Sequence, residues 1–120
     1  MKLKSKNKEI PMKNFRTLGL AIEFFEKTEQ LELTGNMRDQ LHRAASSISL
    51  NLSEGNAKRT VKEKKRYYHT AYASLQECKT ILKLIKNDDN EIEQLADHLG
   101  ACLYKLLKSE IRTLQNPVYS

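Results

Sequence analysis

Four stretches of this chain repeat apolar residues at alternating steps of three and four, and a short polar break closes each one. That spacing returns to one side of an α-helix every turn, whereas a half-buried strand needs strict alternation, so the pattern commits the chain to helices. In the first stretch Phe15, Leu18, Ile22 and Phe25 form the row, with Leu20, Phe24 and Leu31 widening it, and a helix is expected from Met12 to about Leu33. Thr34-Gly35-Asn36 then offers a residue tolerant of positive φ followed by an N-cap, so the second helix is expected to begin at Met37. Its face is Met37, Leu41, Ala44, Ala45, Ile48 and Leu52, and Gly55 is placed to stop it. Thr60 and Glu63 read as a capping box opening a third helix, whose seam is Tyr68, Ala71, Leu75, Cys78, Leu82 and Ile85. Asn87 to Asn90 breaks that seam. Ile92, Leu95, Leu99, Cys102 and Leu106 resume it, flanked by Leu103, Leu107, Ile111 and Leu114 until Pro117.

Three short connections make sequence neighbours antiparallel, so the expected fold is all-α, an antiparallel up-down-up-down four-helix bundle over residues 12–116. A chain of 120 residues and 13.9 kDa is one domain, large enough to bury a core without staples. Residues 1–11 carry Lys2, Lys4, Lys6 and Lys8 and read as a mobile basic tail, and residues 117–120 as a C-terminal tail. The apolar runs are too short for a membrane span, and the N-terminus lacks a secretory signal's apolar centre, so a cytoplasmic location is expected. Cys78 and Cys102 have no C-x-x-C or paired-histidine framing and are expected to be reduced, buried thiols. His98 stands one turn before Cys102, but a zinc site needs further ligands, and none is evident; no metal and no cofactor are expected. With neither a nucleophile elbow nor a Gly-rich phosphate loop, no enzymatic activity is expected either.

The charge is informative. Twenty-one Lys and Arg against 15 Asp and Glu leave +6, with a pI near 9.3, a balance that suits a polyanionic partner. Lys58, Arg59, Lys62, Lys64, Lys65 and Arg66 crowd the start of the third helix against Glu63 alone, while Asp88, Asp89, Glu91, Glu93 and Asp97 gather where the fourth begins. A helix carrying those cations beside Tyr67 and Tyr72 could hold phosphates while a ring stacks on an unpaired base. Tyr68 belongs to the seam, and charge on a bundle helix is ordinarily only solvated. On the second helix Gln40, Arg43, Ser47, Asn51 and Glu54 make a polar stripe, for which a solvated outer face is the ordinary reading.

The run Arg38 to Gly55, with Gln40-Leu41-x-Arg43-Ala44-Ala45 and Asn51-Leu52-x-Glu54-Gly55 as its halves, resembles the signature helix of the four-helix-bundle family encoded in intervening sequences of bacterial 23S rRNA genes. Ala71-Tyr72-Ala73-Ser74-Leu75-Gln76-Glu77 is similar to that family's third-helix motif; Ser49 replaces a common proline and Ala73 a common glycine, the latter bearing on the closest helix approach. The resemblance implies a homo-oligomer, a pentameric ring by analogy with accessory proteins of diversity-generating retroelements. It also makes the Gln40–Glu54 stripe a subunit contact in which Arg43 and Glu54 meet a neighbouring chain, or Lys58 and Arg59 across the turn. The expected function is therefore non-enzymatic binding of nucleic acid, RNA rather than DNA, by an oligomeric bundle. A protein-interaction scaffold, or an accessory subunit of a reverse transcriptase, is the alternative.

Overall fold

The computed structural model describes residues 12–115, with side chains for 14–109, and contains four helices and no strand in that range. They are α1 (Met12–Glu29), α2 (Gly35–Ala57), α3 (Val61–Leu84) and α4 (Asn90–Gln115). Both tails, and the side chains of Ile111 and Leu114, lie outside the described residues.

Each helix packs on its sequence neighbours, and α1 closes the ring by packing on α4, so the bundle encloses one core. The contacts run end to start. Asn14 of α1 meets Asn56 at the end of α2; Ser47 meets Ser74, and Arg43 meets Glu77, between α2 and α3. Lys79 of α3 reaches Asp97 of α4 at 3.1 Å, and Lys27 of α1 reaches Glu91 at the start of α4 at 3.0 Å.

Most of the expected faces of α2 and α3 is buried in one core, with Leu41, Ala44, Ala45, Ile48 and Leu52 of α2 and Tyr68, Ala71, Leu75, Cys78 and Leu82 of α3, while Met37, and Ile85 just past the end of α3, are half-buried. On α4 the buried row is Ile92, Ala96, Leu99, Leu103 and Leu106, so Leu95 and Cys102, expected in the seam, are only half-buried. Cys102 is thus not the buried thiol expected, whereas Cys78 is.

α1 departs most. Its inward row is Asn14, Thr17, Ala21, Phe24 and Thr28; Phe15, Leu18 and Phe25 are half-buried on the flank, and Ile22 is 44 % exposed. The inward row also steps by three and four, but polar residues occupy three of its places, Asn14, Thr17 and Thr28. Thr28 Oγ1 donates to the Phe25 carbonyl at 2.9 Å, and Asn14 joins the network described below. The helix ends at Glu29, before the expected Leu33.

The helix ends follow local chemistry. α2 starts at Gly35 with Thr34 as its N-cap, two residues before the expected Met37; Gly35 takes φ +66°, which glycine adopts without steric cost. The Thr60 hydroxyl accepts from the Glu63 N–H at 3.2 Å and donates to the Glu63 carboxylate at 3.0 Å, so the expected capping residues open α3. α3 closes in a Schellman motif: Asn87 N–H donates to the Leu82 carbonyl at 2.9 Å and Lys86 N–H to that of Lys83 at 3.1 Å, with Lys86 left-handed at φ 55°. Asp89 then caps α4, its Oδ1 accepting from Glu91 N at 3.0 Å and Ile92 N at 3.2 Å.

Candidate nucleic-acid interface

Gly55 does not stop α2, which continues to Ala57. Its missing side chain admits the neighbouring helix instead: a Cβ there would stand 2.7 Å from Tyr68 Cε1 and 3.1 Å from Tyr67 Cβ. α2 and α3 therefore approach closely at Gly55, whereas Ala73, the position expected to bear on the closest helix approach, is exposed. Tyr68 enters the core through this gap. Its hydroxyl donates to Asn56 Oδ1 at 2.6 Å and accepts from Asn14 Nδ2 at 2.9 Å, which ties the start of α1, the end of α2 and the start of α3 into one buried knot. Sequence patterning missed this knot because only Tyr68 of the three is apolar; an Asn at an inward helical step was the available signal.

The turn above the knot holds the basic segment, and the six cations divide. Lys64 Nζ lies 3.4 Å from the Gly55 carbonyl oxygen and 3.3 Å from that of Asn56, so it caps the last turn of α2, where the helix presents its negative end. Lys58 pairs with Glu54 at 3.4 Å, one of the two alternatives expected for that carboxylate. Arg59, Lys62, Lys65 and Arg66 make no ion pair among the described residues. Lys62, Lys65, Arg66 and His69 recur at helical spacing on one side of α3, away from the Tyr68–Ala71–Leu75 row; all are exposed except half-buried Lys65. Tyr67 is half-buried with Lys58 Nζ 5.2 Å and Arg66 Cζ 6.0 Å from its ring centroid, and Tyr72 is half-buried against the core.

The stripe on α2 turns toward α3. Arg43 pairs with Glu77, Ser47 Oγ lies 2.9 Å from Ser74 Oγ, and Asn51 Nδ2 donates to the Ser47 carbonyl at 2.9 Å and to its hydroxyl at 3.0 Å. Gln40 is half-buried at its head, and Glu54 is exposed at its foot beside Lys58. Partners within the chain thus meet the polar groups of Arg43, Ser47, Asn51 and Glu54.

Away from the basic turn, a cleft of about 310 Å³ lies where α1 ends and α2 starts, lined in part by Glu29, Arg38, Asp39 and His42. His42 Nδ1 and Glu29 Oε2 are 2.8 Å apart there. No group of three or more His, Cys, Asp or Glu among the described residues is arranged to hold a metal ion. No described helix is long and apolar enough to cross a membrane.

These features define a class: a small four-helix-bundle protein with a basic outer face at one turn. The family comparison makes it specific. Residues 15–109 match the family described as 23S rRNA-intervening sequence protein, and the chain belongs to that family. Comparison with curated proteins and with solved structures gives no match.

Proposed function

We propose that this chain is a non-enzymatic, homo-oligomeric, antiparallel up-down-up-down bundle that binds nucleic acid through the start of α3. One observation carries the reading: among the described residues Arg59, Lys62, Lys65 and Arg66 make no ion pair, and Lys62, Lys65 and Arg66 share one side of α3, while Lys58 pairs with Glu54 and Lys64 covers the end of α2. Cations displayed for a phosphate backbone need that freedom, since each contact releases counterions only if the charge is not already neutralised. The preference for RNA over DNA rests on the rRNA link in the family's name. The end-to-start contacts, such as Asn14 with Asn56 and Lys27 with Glu91, support the antiparallel arrangement.

Assembly is supported by the apolar flank left partly open on α1, where Ile22 is exposed beside half-buried Leu18 and Phe15. Five chains is the number the resemblance implies. Light scattering tests it, and a 13.9 kDa monomer at micromolar concentration refutes assembly.

The binding test is a salt titration. Four phosphate contacts per chain give a slope of log affinity against log salt near −3.6, with about 0.9 per contact on a duplex. Lys62→Gln with Arg66→Gln should halve it, to roughly −1.8, whereas Lys58→Gln with Lys64→Gln should move it by less than about 0.5. No binding at low salt, or equal slopes in both double variants, refutes the reading. The first of these results would leave a scaffold, or a reverse-transcriptase accessory subunit, as the function to test.

A further inference from the structure

We infer that the basic face takes base-paired nucleic acid by its phosphates and stacks no base, an inference that rests on the binding role proposed above. Aromatic rings beside cations are the usual equipment for holding unpaired bases. Here the three tyrosines of the segment are engaged, and His69 is the exposed ring on the same face. Tyr68 is fully buried with its hydroxyl in the knot. Tyr72 packs against the core, and Tyr67 is half-buried with two cations on its ring and its Cβ close to Gly55. A base arriving on Tyr67 would have to displace Lys58 and Arg66, and displacing Lys58 would also break its pairing with Glu54. On α4, exposed Tyr104 has Lys108 Nζ 5.9 Å from its ring centroid.

What remains for a ligand is charge set on a rigid rod. Lys62 to Arg66 spans about 6 Å of helix axis. A duplex carries one phosphate charge per about 1.7 Å, so about three or four lie within that reach, and each neutralised contact releases more counterion from a duplex than from a single strand. Cations without a free tyrosine beside them therefore favour the denser polyanion. The shared ligand chemistry is a paired phosphate backbone, which RNA and DNA duplexes both supply.

Fluorescence anisotropy at low salt, with an RNA duplex, a DNA duplex and unstructured oligo(U), each of about 20 nucleotides per strand, tests this. Both duplexes should bind more tightly than oligo(U), and whichever duplex leads identifies the helix form preferred. Tyr67→Leu, Tyr104→Leu and His69→Ala should each change the affinity for every probe by less than about twofold, because losing one stacked base costs about fivefold or more. Circular dichroism checks that each variant stays helical. A second measurement needs no substitution: 2-aminopurine placed in the oligo(U) strand should keep its free-strand fluorescence when the unsubstituted protein binds. Tighter binding of oligo(U) than of either duplex, a loss of fivefold or more in Tyr67→Leu, or quenching of the bound 2-aminopurine would overturn the inference and leave the binding role standing. Absence of binding to all three probes would remove both.

Discussion

Gly55→Ala should destabilise the bundle, although alanine is the better helix former. The added Cβ would lie 2.7 Å from Tyr68 Cε1, 3.0 Å from Tyr68 Cδ1 and 3.1 Å from Tyr67 Cβ. A contact under 3 Å must be relieved by movement, and here the neighbour cannot simply swing away. The Tyr68 ring is fully buried, and its hydroxyl is held by Asn56 at 2.6 Å and Asn14 at 2.9 Å. Overpacking of this kind costs about 1–3 kcal/mol. Stretching the two hydrogen bonds adds roughly 1 kcal/mol, and the helix propensity gained on leaving glycine returns about 1 kcal/mol. The net loss is then about 2 kcal/mol, or a fall of roughly 8 °C in Tm for a domain of this size. Gly100→Ala is the control: its Cβ would meet Leu75 Cδ2 at 3.4 Å, at the edge of ordinary van der Waals contact, so most of the propensity gain of up to about 1 kcal/mol should appear. Urea and thermal unfolding followed by circular dichroism measure both. A Gly55→Ala variant as stable as the parent would refute the reasoning.

Lys86→Gly should stabilise the chain by about 1 kcal/mol in urea, because Lys86 holds φ 55° at the C′ position of α3, where a side chain is strained. Burial, reinforced by Glu77, pushes the Cys78 thiol up to about 12 from the ordinary 9.0. The folded state therefore keeps a proton that the unfolded chain releases across that window. This contribution to stability is complete below about pH 9 and is lost as pH rises toward 12, so Cys78→Ala should flatten the alkaline fall of the urea midpoint. Arg43 and Glu77 are 62 % and 40 % exposed, so a double-mutant cycle to alanine should give a coupling of no more than about 1 kcal/mol, with larger values pointing to burial in an assembly.

What the sequence made legible follows from how local each determinant is. The α2 and α3 faces were readable because their apolar steps had no rival row, and the Thr60–Glu63 cap because both partners lie within one turn. α1 offered two rows of the same period, and the more apolar one turned out to be the flank. Its inward row includes Asn14, whose burial makes sense only once Asn56 and Tyr68, 42 and 54 residues away, are beside it. Gly55 carried two meanings. A glycine near a helix end reads as a stop, and the alternative of a close approach was marked only by the bulky Tyr67 and Tyr68 a dozen residues later. The six cations could be counted but not sorted, because the carbonyls that engage Lys64 belong to the preceding helix.

The knot and the basic face depend on one another through that sorting. The end of α2 exposes backbone carbonyls, and the resulting partial negative charge would oppose any phosphate brought to the turn. Lys64 covers two of those carbonyls, and the backbone N–H of Lys58 bonds to the Gly55 carbonyl at 3.1 Å. α3 starts at the same turn with its positive end, and there Asn14, Asn56 and Tyr68 fix its angle to α1 and α2. The acidic residues Asp88, Asp89, Glu91 and Glu93 gather instead around the start of α4, after the 24 residues of α3. That helix is about 36 Å long, several times the roughly 8 Å screening length at physiological salt, so the acidic corner scarcely weakens the field at the basic turn. A net charge of +6 therefore understates what a polyanion meets there, and the buried polar knot, costly as it is to satisfy, holds the helix that presents those cations at a fixed angle.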